Sequence, residues 1–169
     1  GVQVKATHQG YSDDSPWARG QAWALYGYTM MFRETKEQRY LNQAVNIAEF
    51  ILNHPNIPQD KIPYWDFDAP DIPKASRDAS AAAVIASALI ELSQYVNPAD
   101  ASKYIEVSET QLRTLASPDY LANPGENGNF ILKNGVGSFP HNSEVDVPLT
   151  YADYYFLEAL LRYKRIITK

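Results

Sequence analysis

Apolar side chains recur along this chain at intervals of three and four residues, and the recurrences break at proline, glycine and asparagine. The pattern predicts an all-α chain of five helices. The first runs from about Pro16 to Arg33, with Ser15 as cap and Pro16 at a position that needs no intrahelical donor. Thr35 and Gln38 read as a capping box for the second, Glu37 to Asn53. Its Tyr40, Leu41, Ala44, Val45, Ile47, Ala48, Ile51 and Leu52 recur at helical spacing, and Asn42, Asn46 and Glu49 are left for water. The third, capped by Ser76 or Asp78 and reaching about Val96, is different. Its run from Ala79 to Ala83 is small on every side, so neighbours must close in from both flanks. Asn97 and Pro98 open a fourth, to about Ala116, with Tyr104, Ile105, Ser108, Leu112 and Leu115 inward and Lys103, Glu106, Glu109 and Arg113 outward. The last starts at Thr150 with Asp153. Its stripe of Tyr154, Leu157, Leu161 and Tyr163 is expected to pack inward, and its basic end suits the helix dipole.

The connections are equally patterned. From Gly1 to Asp14 the chain alternates weakly at Val2 and Val4 and then turns polar, which reads as a loop or short strand. Five prolines between Pro55 and Ala75 exclude helix through most of that stretch, and a long ordered loop in a compact domain is often functional. Ser117 to Pro148 is rich in glycine, asparagine and proline; a strand at Asn129 to Lys133 is expected to pair with Val136 to Phe139 through a turn at Gly135 and Gly137. Small-residue helices alternate with amphipathic ones, the order expected of helix pairs stacked as inner and outer layers.

Composition narrows the picture without changing it. At 169 residues, 45% hydrophobic and 21% charged, the chain is one globular domain, 1–169. A net charge of -5 with both signs interspersed argues against a nucleic-acid partner, and no apolar run is long enough to imply a membrane. Absence of cysteine excludes disulfides and thiolate-bound metals; a cytoplasmic location is expected, with the periplasm left open. Twelve tyrosines and three tryptophans lean toward carbohydrate and fit a crowded helical core equally well.

The candidate chemistry gathers near the amino end. Arg19, Trp23, Tyr26 and Met30 are spaced by four, three and four, so they share a helix face with Arg19 and Trp23 one turn apart. A guanidinium fork matches a carboxylate in two parallel bonds, and an indole suits the apolar face of a pyranose. His8 and Gln9, on the loop before the helix, would add directional hydrogen bonds. The plainer alternative makes Trp17 and Trp23 core aromatics and Arg19 a solvated charge. In the proline-rich loop, Trp65 and Asp66 either line the same cleft or, in the case of the aspartates, cap turns. Asp66 and Asp68 are too few oxygen ligands for a divalent ion, and His54 reads as a helix-terminal residue, so no metal or cofactor is implied. Lys133, His141, Asn142 and Ser143 either reach a sulfate or second sugar or form a solvated hairpin, and Glu144 and Asp146 alternate with Val145 and Val147 as an edge segment.

Four blocks, in order, resemble the unsaturated glucuronyl hydrolases, glycoside hydrolase family 88: Tyr-Ser-Asp-Asp-Ser-Pro-Trp-Ala-Arg-Gly-Gln-Ala-Trp-Ala-Leu-Tyr-Gly at 11–27, Pro-Tyr-Trp-Asp-Phe-Asp-Ala-Pro at 63–70, Arg-Asp-Ala-Ser-Ala-Ala-Ala at 77–83, and Glu-Val-Asp-Val-Pro-Leu-Thr-Tyr-Ala-Asp-Tyr-Tyr-Phe-Leu-Glu-Ala-Leu at 144–160. The resemblance covers the C-terminal part of that family. It implies part of an (α/α)6 toroid of six inner and six outer helices, with the site at one end of the inner ones. It also implies a substrate, an unsaturated uronic acid disaccharide from glycosaminoglycans, whose 4,5 double bond is hydrated by an aspartate acting as general acid and base. Gln9, Arg19 and Trp23 fall at positions implied to hold the uronate, with His8 adjacent, and no residue here matches the catalytic aspartates. The chain is thus expected to carry half an active site and to associate with the missing N-terminal half or a second copy; the alternative is a non-catalytic remnant that binds acidic sugar.

Overall fold

The computed structural model describes Gly1 and residues 3–168; Val2, half of the alternation noted near the amino end, lies outside them. Among the described residues five α-helices form: α1 (Ala18–Thr35), α2 (Gln38–Asn53), α3 (Ala79–Leu92), α4 (Pro98–Leu115) and α5 (Thr150–Ile167). Among the described residues no helix is long and apolar enough to cross a membrane.

The helix starts show where local signals were overruled. Ser15 does not cap α1. Its hydroxyl goes to Asp66 at 2.8 Å and to the Ser12 carbonyl at 3.0 Å, because the strand-like pairing of Trp17 with Asp66 holds the chain extended until Ala18. The capping box at Thr35 and Gln38 does not form either. Lys36 turns left-handed (φ 60°) to close α1, which leaves Thr35 bonded back to the Met31 carbonyl and makes Glu37 the cap of α2. Asp78 does cap α3, accepting from the Ser80 amide at 3.0 Å, and Asn97 caps α4 through the amides of Ala99 and Asp100.

The inner layer is α1, α3 and α5, with α2 against α1 and α4 against α3. The three run parallel, because their starts and their ends meet separately. At one end Arg19 of α1 pairs with Asp78, the cap of α3, at 2.9 Å and lies 5.4 Å from the ring of Tyr151 in α5. At the other, Glu91 of α3 pairs with Arg33 of α1 at 2.9 Å and Arg162 of α5 at 2.8 Å. Between them α3 is buried along its whole length. Ala81, Val84, Ile85, Ala88 and Leu89 enter a core shared with α1 and α2, while Ala82, Ala83, Ala86 and Ile90 enter one shared with α4 and α5. Small residues let helices approach from both sides, as the alanine run predicts.

Two expectations are corrected. The stripe on α5 packs inward only at Tyr163, which lies half-buried against the core shared with α3 and α4. Tyr154, Leu157 and Leu161 are 59%, 47% and 58% exposed, and the inward side is Ala152, Phe156 and Ala159 with Tyr155 beside them. The hairpin is also shifted along the chain. Strand β1 (Gly135–Ser138) pairs antiparallel with β2 (Ser143–Val147), not with Asn129–Lys133. The reason is local: Asn134 takes a left-handed φ of 60° and turns the chain away from the preceding run, whose Ile131 and Leu132 amides bond Asp153 of α5 instead. Gly135 and Gly137 therefore lie in the strand. A Cβ on Gly135 would come 2.7 Å from the Val147 carbonyl oxygen, and one on Gly137 would collide with Glu144.

Candidate substrate site at the inner helix starts

Three inner helices begin at the same end, so three partial positive charges point to one place, which suits an anion. The loops that lead into them supply the walls. The loop before α1 brings His8 and Gln9, the proline-rich loop backs it through the pairing of Asp66 with Trp17, and β1 of the hairpin before α5 lies over Arg19.

Arg19, in the first turn of α1, lies at the centre and is only 2% exposed. It is therefore not a solvated charge. Its guanidinium pairs with Asp78 at 2.9 Å and donates to the carbonyls of Val136 and Gly137, with Trp17 at 4.8 Å and Tyr151 at 5.4 Å against its face. Gln9 donates from Nε2 to the same Gly137 carbonyl at 2.9 Å. The loop and the helix thus converge their donors on one oxygen. His8 is exposed, its ring 4.6 Å from that of His141, whose Nδ1 lies 2.7 Å from the Ser138 hydroxyl.

One turn deeper, Trp23 is half-buried, edge-on to Tyr151 at 6.0 Å and to Tyr155 at 5.2 Å. Burial raises the Tyr151 hydroxyl pKa against the opposing pull of Arg19, and burial likewise raises that of Tyr155. Below them Tyr26 donates to Glu158 at 3.1 Å, and burial pushes its pKa up to about 12. The inner faces of α1 and α5 are therefore polar-tipped aromatics that end in the Glu158–Arg162–Glu91–Arg33 network.

Trp65 and Asp66 stand behind the wall rather than on it. Trp65 is 3% exposed, stacked on Phe139 at 4.5 Å, so its ring is already covered. Asp66 is wholly buried and spends its oxygens on the Tyr11 amide, the Ser15 hydroxyl and the Asp68 amide, which is the turn-capping alternative. His54 closes α2, accepting at Nδ1 from the Asn56 amide at 3.3 Å. Lys133 bonds the Pro118 carbonyl at 2.6 Å, away from the cluster, whereas His141 belongs to it. Sequence reasoning missed Tyr151, Tyr155 and Phe139. The first two were legible as a four-residue step continuing to Glu158 and Arg162, a stripe with polar tips that the more apolar stripe beside it masked.

Comparison with known proteins agrees in one direction. No family model matches the chain. It is 49% identical over 168 residues to an unsaturated glucuronyl hydrolase of Formosa agariphila, covering 99% of this chain and 41% of that protein. Among solved structures, an unsaturated glucuronyl hydrolase specific for heparin superposes with a TM-score of 0.96 at 55% identity, covering 100% of this chain and 45% of that one. A Streptococcus agalactiae unsaturated glucuronyl hydrolase mutant, complexed with dGlcA-GalNAc6S, superposes with a TM-score of 0.84 at 35% identity, covering 96% and 42%. The chain spans about two fifths of the length of the curated relatives it matches.

Proposed function

Since the chain belongs to the unsaturated glucuronyl hydrolases, glycoside hydrolase family 88, we propose that it is the C-terminal, substrate-holding part of a glycosidase acting on unsaturated uronyl disaccharides from glycosaminoglycans. Gln9 and Arg19 take the uronate carboxylate, Trp23 offers an aromatic face to the ring, and His8 adds a polar contact. The carboxylate is conjugated with the 4,5 double bond, so fixing it fixes the alkene in front of the proton donor; water then adds across the bond, and the product rearranges and releases its partner sugar. The aspartate that moves the proton stands, in this reading, on the three fifths of the relatives that this chain does not span. The observation that carries the reading is the convergence of Gln9 and Arg19 on a single oxygen at the common end of three parallel helices.

Loss of the absorbance of the conjugated double bond tests it. The chain alone is expected to give no turnover. In the intact enzyme Gln9→Ala, which removes a hydrogen bond to a charged group without touching the core, is expected to lower kcat/KM by about ten- to a hundredfold. Enzyme-like turnover by the chain alone would move the acid onto an aspartate within it, and an unaffected Gln9→Ala would end the binding role. The bare face of α5 is, in the same reading, covered by the rest of the polypeptide or by a second copy.

A further inference from the structure

We propose that strand β1 occupies the carboxylate seat of the site and is displaced from it by the uronate. This rests on the reading of Gln9 and Arg19 as uronate ligands. A carboxylate presents two acceptor oxygens, side by side, to a guanidinium fork. In this structure the carbonyl oxygens of Val136 and Gly137 stand in that relation to Arg19, and Gln9 adds its bond to the Gly137 oxygen. Main chain thus fills the place of the ligand, and with Arg19 at 2% exposure no solute reaches the fork while β1 is down.

The hairpin is suited to leave. It is two-stranded, and such hairpins have little stability of their own. Its outer strand is largely exposed at Ser143, Glu144 and Asp146, and so is its tip at Phe139–Asn142. Besides Arg19 and Gln9, it is tied down by Phe139 on Trp65, by His141 against His8, by the Val136 side chain, buried with Trp65 and Ala69, and by the Val136 amide on Asp78 at 3.3 Å. Asp78 caps α3 and is no part of the hairpin, so when β1 lifts, the ion pair at 2.9 Å keeps Arg19 aimed. The apparent affinity for a uronate is then the intrinsic one multiplied by the fraction of molecules with the strand lifted.

The test uses the intact enzyme and D-glucuronate, a saturated uronate that cannot be hydrated. Saturation is expected to speed backbone hydrogen exchange at Val136 severalfold, since that amide loses Asp78. Phe139→Ala, which removes the stack on Trp65, is expected to bind glucuronate about three- to tenfold more tightly. Unchanged or slower exchange at Val136, or equal or weaker binding by Phe139→Ala, would overturn the displacement. The parent separates the two readings: if it binds no glucuronate, the ligand assignment fails; if it binds glucuronate while exchange at Val136 is unchanged, only the displacement fails.

Discussion

Helices α3 and α5 lie in the same layer and run in the same direction, yet α3 exposes nothing from Ala79 to Leu92, whereas α5 leaves Tyr154, Leu157 and Leu161 about half in solvent. The difference is in their neighbours. α3 is flanked by α1 and α5 and backed by α4; α5 has α3 on one flank and nothing among the described residues on the other. Side-chain size follows from this. Alanine dominates where two helices must approach, and leucine and tyrosine stand where a flank is open. An apolar face left bare on an inner helix is also what separates a segment of a ring from a self-sufficient bundle.

The sharpest way to break α3 is at its cap. Asp78 is both its cap and the counter-charge of Arg19, with side chains 0% and 3% exposed. Asp78→Ala is expected to cost about 3–5 kcal/mol, measured by urea unfolding, because it strands a buried cation as well as an orphan amide. A loss near 1 kcal/mol would mean that the hairpin carbonyls alone satisfy Arg19. In the middle of the helix, Ala83→Leu adds volume where none is free and is expected to cost about 1–3 kcal/mol.

That asymmetry also decides what was legible beforehand. The alanine run announced α3's place because no other position in such a layer tolerates small residues on every side. Asn97 and Asp78 announced their helix starts because their oxygens reach amides two residues on. Ser15 failed as a cap because a partner distant in sequence, Asp66, claimed its hydroxyl. The stripe on α5 failed at Tyr154, Leu157 and Leu161 because periodicity reports which residues share a side and not whether a neighbour is there to cover it. Within the site, residue type and spacing left Arg19 open between a carboxylate ligand and a solvated charge, and it was the family resemblance that singled out Gln9 and Arg19. The oxygen on which they converge was not legible, since it belongs to main chain more than a hundred residues away.

The inward side of α5 is tied to α1 by polar groups, and a smaller effect is expected there. Tyr26→Phe removes the bond to Glu158 and should cost about 1 kcal/mol near neutral pH. It should also change the response to alkali. Burial raises the Tyr26 hydroxyl pKa to about 12, so between its ordinary value near 10 and about 12 the unfolded chain has lost a proton that the folded chain keeps. The contribution is complete below pH 10 and falls away as pH rises through about 12. Tyr104, buried on α4 and also raised to about 12, contributes a parallel loss. Tyr26→Phe should therefore reduce the slope of stability against pH in that window without abolishing it. An unchanged slope would mean that Tyr26 ionises freely.

The smallest effect on stability is expected on α5's outer side, and it separates the two helices most cleanly. Leu161 is 58% exposed, so Leu161→Glu removes almost no burial and should change the unfolding free energy by no more than about 0.5 kcal/mol, against the larger penalty for Ala83→Leu. Association should respond in the opposite order. If the bare face is where the remaining polypeptide or a second copy docks, the chain on its own should be larger than a monomer by light scattering at micromolar concentration, and Leu161→Glu together with Leu157→Glu should return it to monomer. A parent chain that is already a clean monomer would show that an inner helix with one open flank is tolerated in water, and size at an inner position would then report on neighbours only where they are present.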